Sequence, residues 1–579
     1  MEKLERSKEK RNLLAGLTVL FIYTAGLIVI GCFHEPWFDE TQAWLIAKSA
    51  SYKEIITVVP HYEGHPPLWH LLLSVFAKNG TPFDITLKTI NIIFSTSAMA
   101  LVIFRSPFPK TVRYILPFTY FFFYHYGVYC RPYSMTMLSL MLAAIYYKER
   151  NIKPWRYILS LLFLCLTTAY GMMLSGGLCL VWTFEIIAEL HKEKKIVFFW
   201  KDKRFYSLCF ILAAAVCILL MIIPADDCYY GGLENKGTIT EVLTNKYHYM
   251  TFIILPFESW SGVMLGLNGG KEYTSILTAE ILIGALMWLS FILITRKNQK
   301  LLTFAVPYIF MTGFMSFHYM SVHHIGISAL FHVFIFWIMA EQEDGIRVPE
   351  FLVKIKESFR SPLICKVIYG VGGIICVMPI VYSIGTSYMD IKGECGTSKF
   401  AEIINENHLE DKKIMASWSV KYEESSEDDP VINMNVFKVL EIPSEHEKIT
   451  ENKTYLISDP VMILPYFDRN IFMNFNAECP DDLYMHYKHK EDTEAVFAKW
   501  REKGLPDFII GYCPIDEIYD EKTLEGVKYL PIYLLEYSIF YKLEFDTYYE
   551  RMYMREDLFD DYPQFKWIDD QRGNVYERK

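Results

Sequence analysis

From Leu13 to Phe33 the chain runs without a charged residue. At roughly 1.5 Å per residue, these roughly 20 residues are enough to cross a hydrocarbon core about 30 Å thick. The run is too long for a signal-peptide core and lacks a small-residue cleavage site, so a retained first crossing is expected. Further apolar stretches follow at 66–77, 85–104, 114–128, 131–147, 157–170, 172–190, 205–223, 248–266, 274–295, 301–317, 325–340 and 363–385. With 52% hydrophobic and only 21% charged residues, the composition agrees with that pattern. The expected fold class is a polytopic α-helical membrane protein.

Lysine and arginine near segment ends set the expected orientation. The leader (Lys3, Arg6, Lys8, Lys10, Arg11), Arg105 to Arg113, Lys148 to Arg156, Lys192 to Arg204, Arg296 to Lys300 and Arg347 to Arg360 read as cytoplasmic, which puts loop 34–65 outside. Counting every stretch gives about 13 crossings, whereas about 11 satisfy the charge bias. The difference lies in 66–77, which is short, and in 248–266, which Pro256, Glu258 and Gly262 interrupt. Either fits a re-entrant or interfacial segment, and both counts leave the C-terminus outside.

After about Gly385 charges become dense and no later run is long enough to cross. Residues 386–579 are expected to form a soluble extracytoplasmic α/β domain following the 1–385 membrane module. Segments 413–418, 454–458 and 507–512 read as short buried strands, and 491–503 as a helix stopped by Gly504 and Pro506. The net charge of -10 argues against nucleic-acid binding. Cys228, Cys395, Cys479 and Cys513 fall in outside segments, where Cys479–Cys513 or Cys228–Cys395 pairing is permitted but not fixed by spacing. No P-loop, zinc spacing or dinucleotide-binding turn occurs, so no nucleotide cofactor is expected.

Trp37-Phe38-Asp39-Glu40 follows the first crossing, and His61-Tyr62-Glu63-Gly64-His65-Pro66-Pro67-Leu68-Trp69 precedes the next. Ionisable groups beside hydrocarbon are costly and often functional. A carboxylate at such a boundary can accept a proton from a hydroxyl, and a second beside it can tune the first or hold a cation. Asp39-Glu40 equally fits the acidic first turn of an interfacial helix. His61 and His65 suit an anionic head group, and Pro66-Pro67 suits the start of a membrane segment.

An aromatic-flanked Asp-Glu in the first outer loop, His65-Pro66-Pro67-Leu68-Trp69 opening the next segment and Arg131-Pro132-Tyr133-Ser134 opening another resemble the GT-C glycosyltransferases, most closely bacterial protein-mannosyltransferase-like and aminoarabinose-transferase-like members. The resemblance covers about residues 13–340, with its specificity in the first 150. It implies a GT-C fold and an inverting transferase in the cytoplasmic membrane. Such an enzyme moves a sugar from a polyprenyl-phosphate carrier to a hydroxyl of a lipid, glycan or protein acceptor. On that pattern Asp39 is the catalytic base, and Glu40 orients it or shares a divalent cation, Mg or Mn, which some members need. A lipid-phosphate leaving group needs cationic partners, and Arg131, flanked by Tyr129 and Tyr133, is the leading candidate.

His318, His323 and His324 lie on the same expected side, with His323 standing where related members carry an arginine. If they bind the carrier phosphate, activity weakens as pH rises through imidazole titration. Asp227, beside Asp226, is a further candidate for acceptor or metal. The alternative reading is a multi-spanning transporter or flippase of lipid-linked sugars, but the inverted halves and broken-helix pairs of such proteins are not seen. A membrane-anchored binding module would not need so many crossings.

Overall fold

A computed structural model describes residues 2–195, 200–228, 246–261, 274–317, 322–350, 362–392, 396–416, 419–420, 455–456, 459–476, 479–487, 502–511, 526–541 and 544–568. Helix α1 (Glu2–Phe33) leads into the short helices α2 (Phe38–Ser49), α3 (Tyr52–Thr57), α4 (Val59–Glu63) and α5 (Leu68–Ala77). After α6 (Phe83–Arg105) and α7 (Lys110–Ile115) come α8 (Tyr133–Tyr147), α9 (Pro154–Cys165), α10 (Ala169–Lys192) and α11 (Lys203–Ile222). Then follow α12 (Lys246–Ser261), α13 (Thr274–Lys297), α14 (Leu301–Phe317), α15 (Val322–Ala340) and α16 (Pro362–Lys392).

Among the described residues, five helices are long and apolar enough to cross a membrane: Glu9–Phe33, Phe83–Arg105, Ala169–Lys192, Lys203–Ile222 and His323–Ala340. Their outward faces carry large apolar side chains, such as Leu17, Phe21 and Ile28 on α1 and Leu212, Val216 and Leu220 on α11, all exposed. Water tolerates apolar patches of that extent poorly, so these helices fit a membrane-embedded protein. At 10 residues, α5 spans about 15 Å, half a hydrocarbon core.

The expected stretch 114–128 is not one helix. It breaks into the end of α7, a 3-10 turn at Leu116–Phe118 and a π-helical turn at Phe121–His125. Pro117 has no N–H for a continuous ladder and disrupts the turn before it. Carbonyls left over by this break are met by buried side chains of neighbouring helices. Tyr23 Oη donates to Phe122 O at 2.8 Å, Asn91 Nδ2 to Gly127 O at 2.9 Å and Ser95 Oγ to Tyr126 O at 3.0 Å. These bonds explain why α1 and α6 carry polar groups inside an apolar core. Elsewhere the helices approach closely through small residues: a Cβ at Gly177 of α10 would sit 2.4 Å from Pro307 Cα of α14.

Helix α16 continues to Lys392, past the expected boundary, and is followed by α17 (Gly396–Glu406). Strands β1 (Ile414–Ala416) and β4 (Phe508–Gly511) pair in parallel, matching two expected strands. The third, β3 (Tyr455–Leu456), instead pairs antiparallel with β2 (Ser419–Val420). The main sheet, ordered β1-β4-β6-β5, is completed by a long hairpin, β5 (Tyr529–Tyr541) and β6 (Glu544–Arg555), that was not expected. Pro531 lies on edge strand β5, where its missing N–H breaks no ladder bond. A short helix, α18 (Asp459–Ile463), packs on α17 and α2. Segment 491–501 of the expected helix, and Cys395 and Cys513 of the proposed bridges, lie outside the described residues.

This α/β unit does not stand apart from the membrane module. Leu45, Ile46, Ile55 and Val59 from α2 to α4 share one buried apolar cluster with Phe400, Ile404, Phe467 and Met485 of the C-terminal unit.

Candidate active site

Helix α2 starts one residue before Asp39, so Asp39 and Glu40 both occupy its first turn. Consecutive helical residues point about 100° apart, and the pair divides accordingly. Glu40 turns inward and is fully buried. It accepts from the backbone N–H of Trp37 at 3.0 Å, reaching back to the residue before the helix as an N-terminal cap does. It also accepts from the backbone N–H of Cys130 and meets His34 Nε2 at 3.1 Å. The other imidazole nitrogen of His34 lies 3.2 Å from Asp390 at the end of α16. Burial disfavours a charged imidazole, but the two carboxylates outweigh it and raise His34 to about 10. Burial likewise opposes a charged Glu40, yet His34 and the backbone N–H groups hold its pKa below the usual range.

Glu40 is thus not placed for the acceptor or for the cation expected of it: it is not among the residues lining the cleft, and its oxygens already meet three donors. Asp39 faces the other way and accepts from the Arg131 guanidinium. The two carboxylates expected to share a divalent cation do not converge, and the residues present do not fit one there.

Asp39 and Arg131 border one open cleft. His61, His65, His323 and His324 line it too, so residues distant in sequence meet in one place. The cleft lies where helices end: Arg131 precedes α8, Ala169 and Tyr170 begin α10, Pro224 follows α11, Phe314 is near the end of α14 and His323 near the start of α15. His61 Nδ1 lies 2.6 Å from Ile223 O, so Nδ1 donates and Nε2 is left as the acceptor. His324 Nδ1 lies 3.2 Å from Tyr170 Oη. Tyr133 is buried behind the lining, its ring 5.7 Å from the Arg131 guanidinium, where it supports the cation. His318 lies outside the described residues.

Asp227 accepts from Tyr62 Oη at 2.8 Å and is not among the lining residues. Burial and the Asp227 charge push the Tyr62 phenol up to about 12. With Ala225 N–H donating to His61 O at 3.3 Å, this bond stitches segment 223–228 to α4. Asp227 is therefore a brace for the cleft wall, and Asp39, Glu40 and Asp227 form no metal-binding group. Among the described residues, a Cys, Asp and His set able to converge on an ion occurs at Cys479, Asp482 and His486.

Several lining residues were not expected from sequence. Glu63 closes α4 just before Gly64, whose φ of +65° a side chain would resist. Its Oε1 accepts from Gln42 Nε2 at 2.9 Å. The same amide is clasped by the C-terminal unit: Gln42 Nε2 donates to Met485 O and Gln42 Oε1 accepts from Met485 N–H, each at 2.9 Å. Tyr487, two residues on, lines the cleft from that unit. Trp69 and His70 of α5 are buried against it, and among the described residues Trp69 Nε1 and His70 Nδ1 meet no hydrogen-bond partner. Buried polar atoms of this kind call for a polar ligand. The position of Glu63 between His61 and His65 was a usable signal; Tyr487 offered none.

The arrangement offers a guanidinium and imidazoles for an anionic group, carboxylates for a hydroxyl, and aromatic walls. Compared with family models, curated proteins and solved structures, the chain shows no significant match.

Proposed function

We propose that the chain is an inverting membrane glycosyltransferase that moves a sugar from a polyprenyl-phosphate carrier to an acceptor hydroxyl. The observation that carries this reading is the Asp39–Arg131 ion pair on a histidine-lined cleft at the ends of apolar helices. A carrier of this class has a charged head and a hydrocarbon tail, and a cleft at helix ends accommodates both. Arg131 is the one arginine or lysine among the described lining residues, and a lipid-phosphate leaving group needs such a partner as its charge develops. His61, His65, His323 and His324 add imidazoles around it.

The acceptor hydroxyl attacks the anomeric carbon as the bond to the phosphate oxygen breaks. Asp39 is the carboxylate that receives this hydroxyl. Tyr487 brings the C-terminal unit to the same cleft, on the side open to a lipid, glycan or protein acceptor. The accompanying topology is that expected of the charge pattern, with this cleft on the outer face of the cytoplasmic membrane. Transfer of labelled sugar from synthetic polyprenyl-phosphate donors, compared between wild type and Asp39→Asn, tests the reading.

A further inference from the structure

Two carboxylates reach the cleft, and their surroundings differ. Asp39 is paired with the Arg131 guanidinium, so one of its oxygens is already taken. Glu63 has a neutral partner, the Gln42 amide on Oε1, and among the described residues no hydrogen bond or ion pair reaches its Oε2. It sits half-buried on the cleft wall with no cation bonded to it.

We propose that Glu63 is the group on which the acceptor's proton comes to rest, while Asp39 holds and orients the same hydroxyl. This deepens the transferase reading and rests on it. The acceptor O–H bond breaks and its oxygen bonds to the anomeric carbon. The carbon–oxygen bond to the carrier phosphate breaks, the phosphate leaves with the electron pair, and the proton neutralises Glu63 at Oε2. The Gln42 amide, fixed on both sides by Met485, holds Oε1 and keeps Oε2 toward the cleft.

The charged and titratable neighbours agree with this assignment. Burial and the Asp39 charge push the Glu63 carboxyl up, against the Gln42 amide and Arg131, to about 7. A base near the working pH is the effective one. Tyr484 of the C-terminal unit also feels the Glu63 charge, and His61, His65, His70, His323 and His324 share the cleft. Above about 7 the ionised carboxylate is the base, so activity rises with pH through that value.

The test uses the full-length protein in detergent or nanodiscs. Infrared difference spectra between pH 5 and 8 should show a protonated carboxyl titrating near 7, absent in Glu63→Gln. Because Glu63 ionises at about 4.5 in the unfolded chain and at about 7 in the folded one, it costs stability progressively as pH rises from about 4.5 to about 7, so Glu63→Gln should raise the thermal midpoint more at pH 8 than at pH 5. In transfer assays Glu63→Gln should lose about 100-fold in kcat and its rise with pH, and Glu63→Asp should restore part of both. A missing infrared band, or a Glu63→Gln variant with full kcat and an unchanged pH profile, overturns this proposal alone. A wild type that transfers from no polyprenyl-phosphate donor overturns the transferase reading and this one together.

Discussion

Arg131 donates to Asp39 across 92 residues of sequence, joining the first turn of α2 to the start of α8 at the edge of the cleft. Each is the other's counter-ion, so removing either changes the charge of the site as well as its shape. Asp39→Asn should lower kcat by about 100-fold, on the scale of misplacing a reacting hydroxyl. Arg131→Ala should mainly raise KM for the lipid-phosphate donor. Arg131→Lys should recover less than full affinity, because a point charge lacks the guanidinium fork. Steady-state kinetics with donor and acceptor varied separately checks the split, and equal effects on both substrates would contradict it.

His34, Glu40 and Asp390 tie the ends of α1 and α16 to the start of α2. With its pKa raised to about 10 in the folded protein, against about 6.5 unfolded, His34 contributes stability fully present below about 6.5. That contribution is lost as pH rises from about 6.5 to about 10. Thermal midpoints of the wild type should fall across this window, and those of His34→Gln should not. The substitution itself should cost about 3–5 kcal/mol near neutrality, since it leaves Glu40 buried without a cation. Parallel melting curves in the two proteins would count against the ion triad.

Gln42 makes two bonds to Met485 and one to Glu63 with a single amide. Gln42→Leu strands the N–H and carbonyl of Met485 in a buried interface, at a cost of about 1–3 kcal/mol for each unsatisfied group. Hydrogen exchange should accelerate at residues 483–487 more than in the helices of the membrane core. A uniform loss of protection would mean that the clasp is not a local tie between the two units.

The apolar runs were legible because membrane helices leave long uncharged stretches, and α1, α6, α10 and α11 lie where those runs predict. The 114–128 segment was not, because the break around the π turn at Phe121–His125 depends on Tyr23, Ser95 and Asn91 of other helices meeting the carbonyls of Phe122, Tyr126 and Gly127. Among the candidate residues, Asp39, Arg131, His61, His65, His323 and His324 border one cleft, and their positions at segment ends were the signal for a shared surface. The division between Asp39 and Glu40 needed the helix phase and the presence of His34 and Asp390. Tyr487 and Gln42 were invisible, as nothing in residues 479–487 signals that they dock on α2. The β5–β6 hairpin escaped because its aromatic residues are mixed with charges and Pro531.

The most direct measurement is transfer of radiolabelled sugar to membrane extracts from a panel of synthetic polyprenyl-phosphate sugars, comparing wild type with Asp39→Asn, with and without EDTA. Transfer from at least one donor is expected, with loss in the variant and no effect of the chelator. Transfer abolished by EDTA would contradict the metal-free site, undiminished transfer in Asp39→Asn would contradict the role of Asp39, and no transfer from any donor would contradict the glycosyltransferase itself.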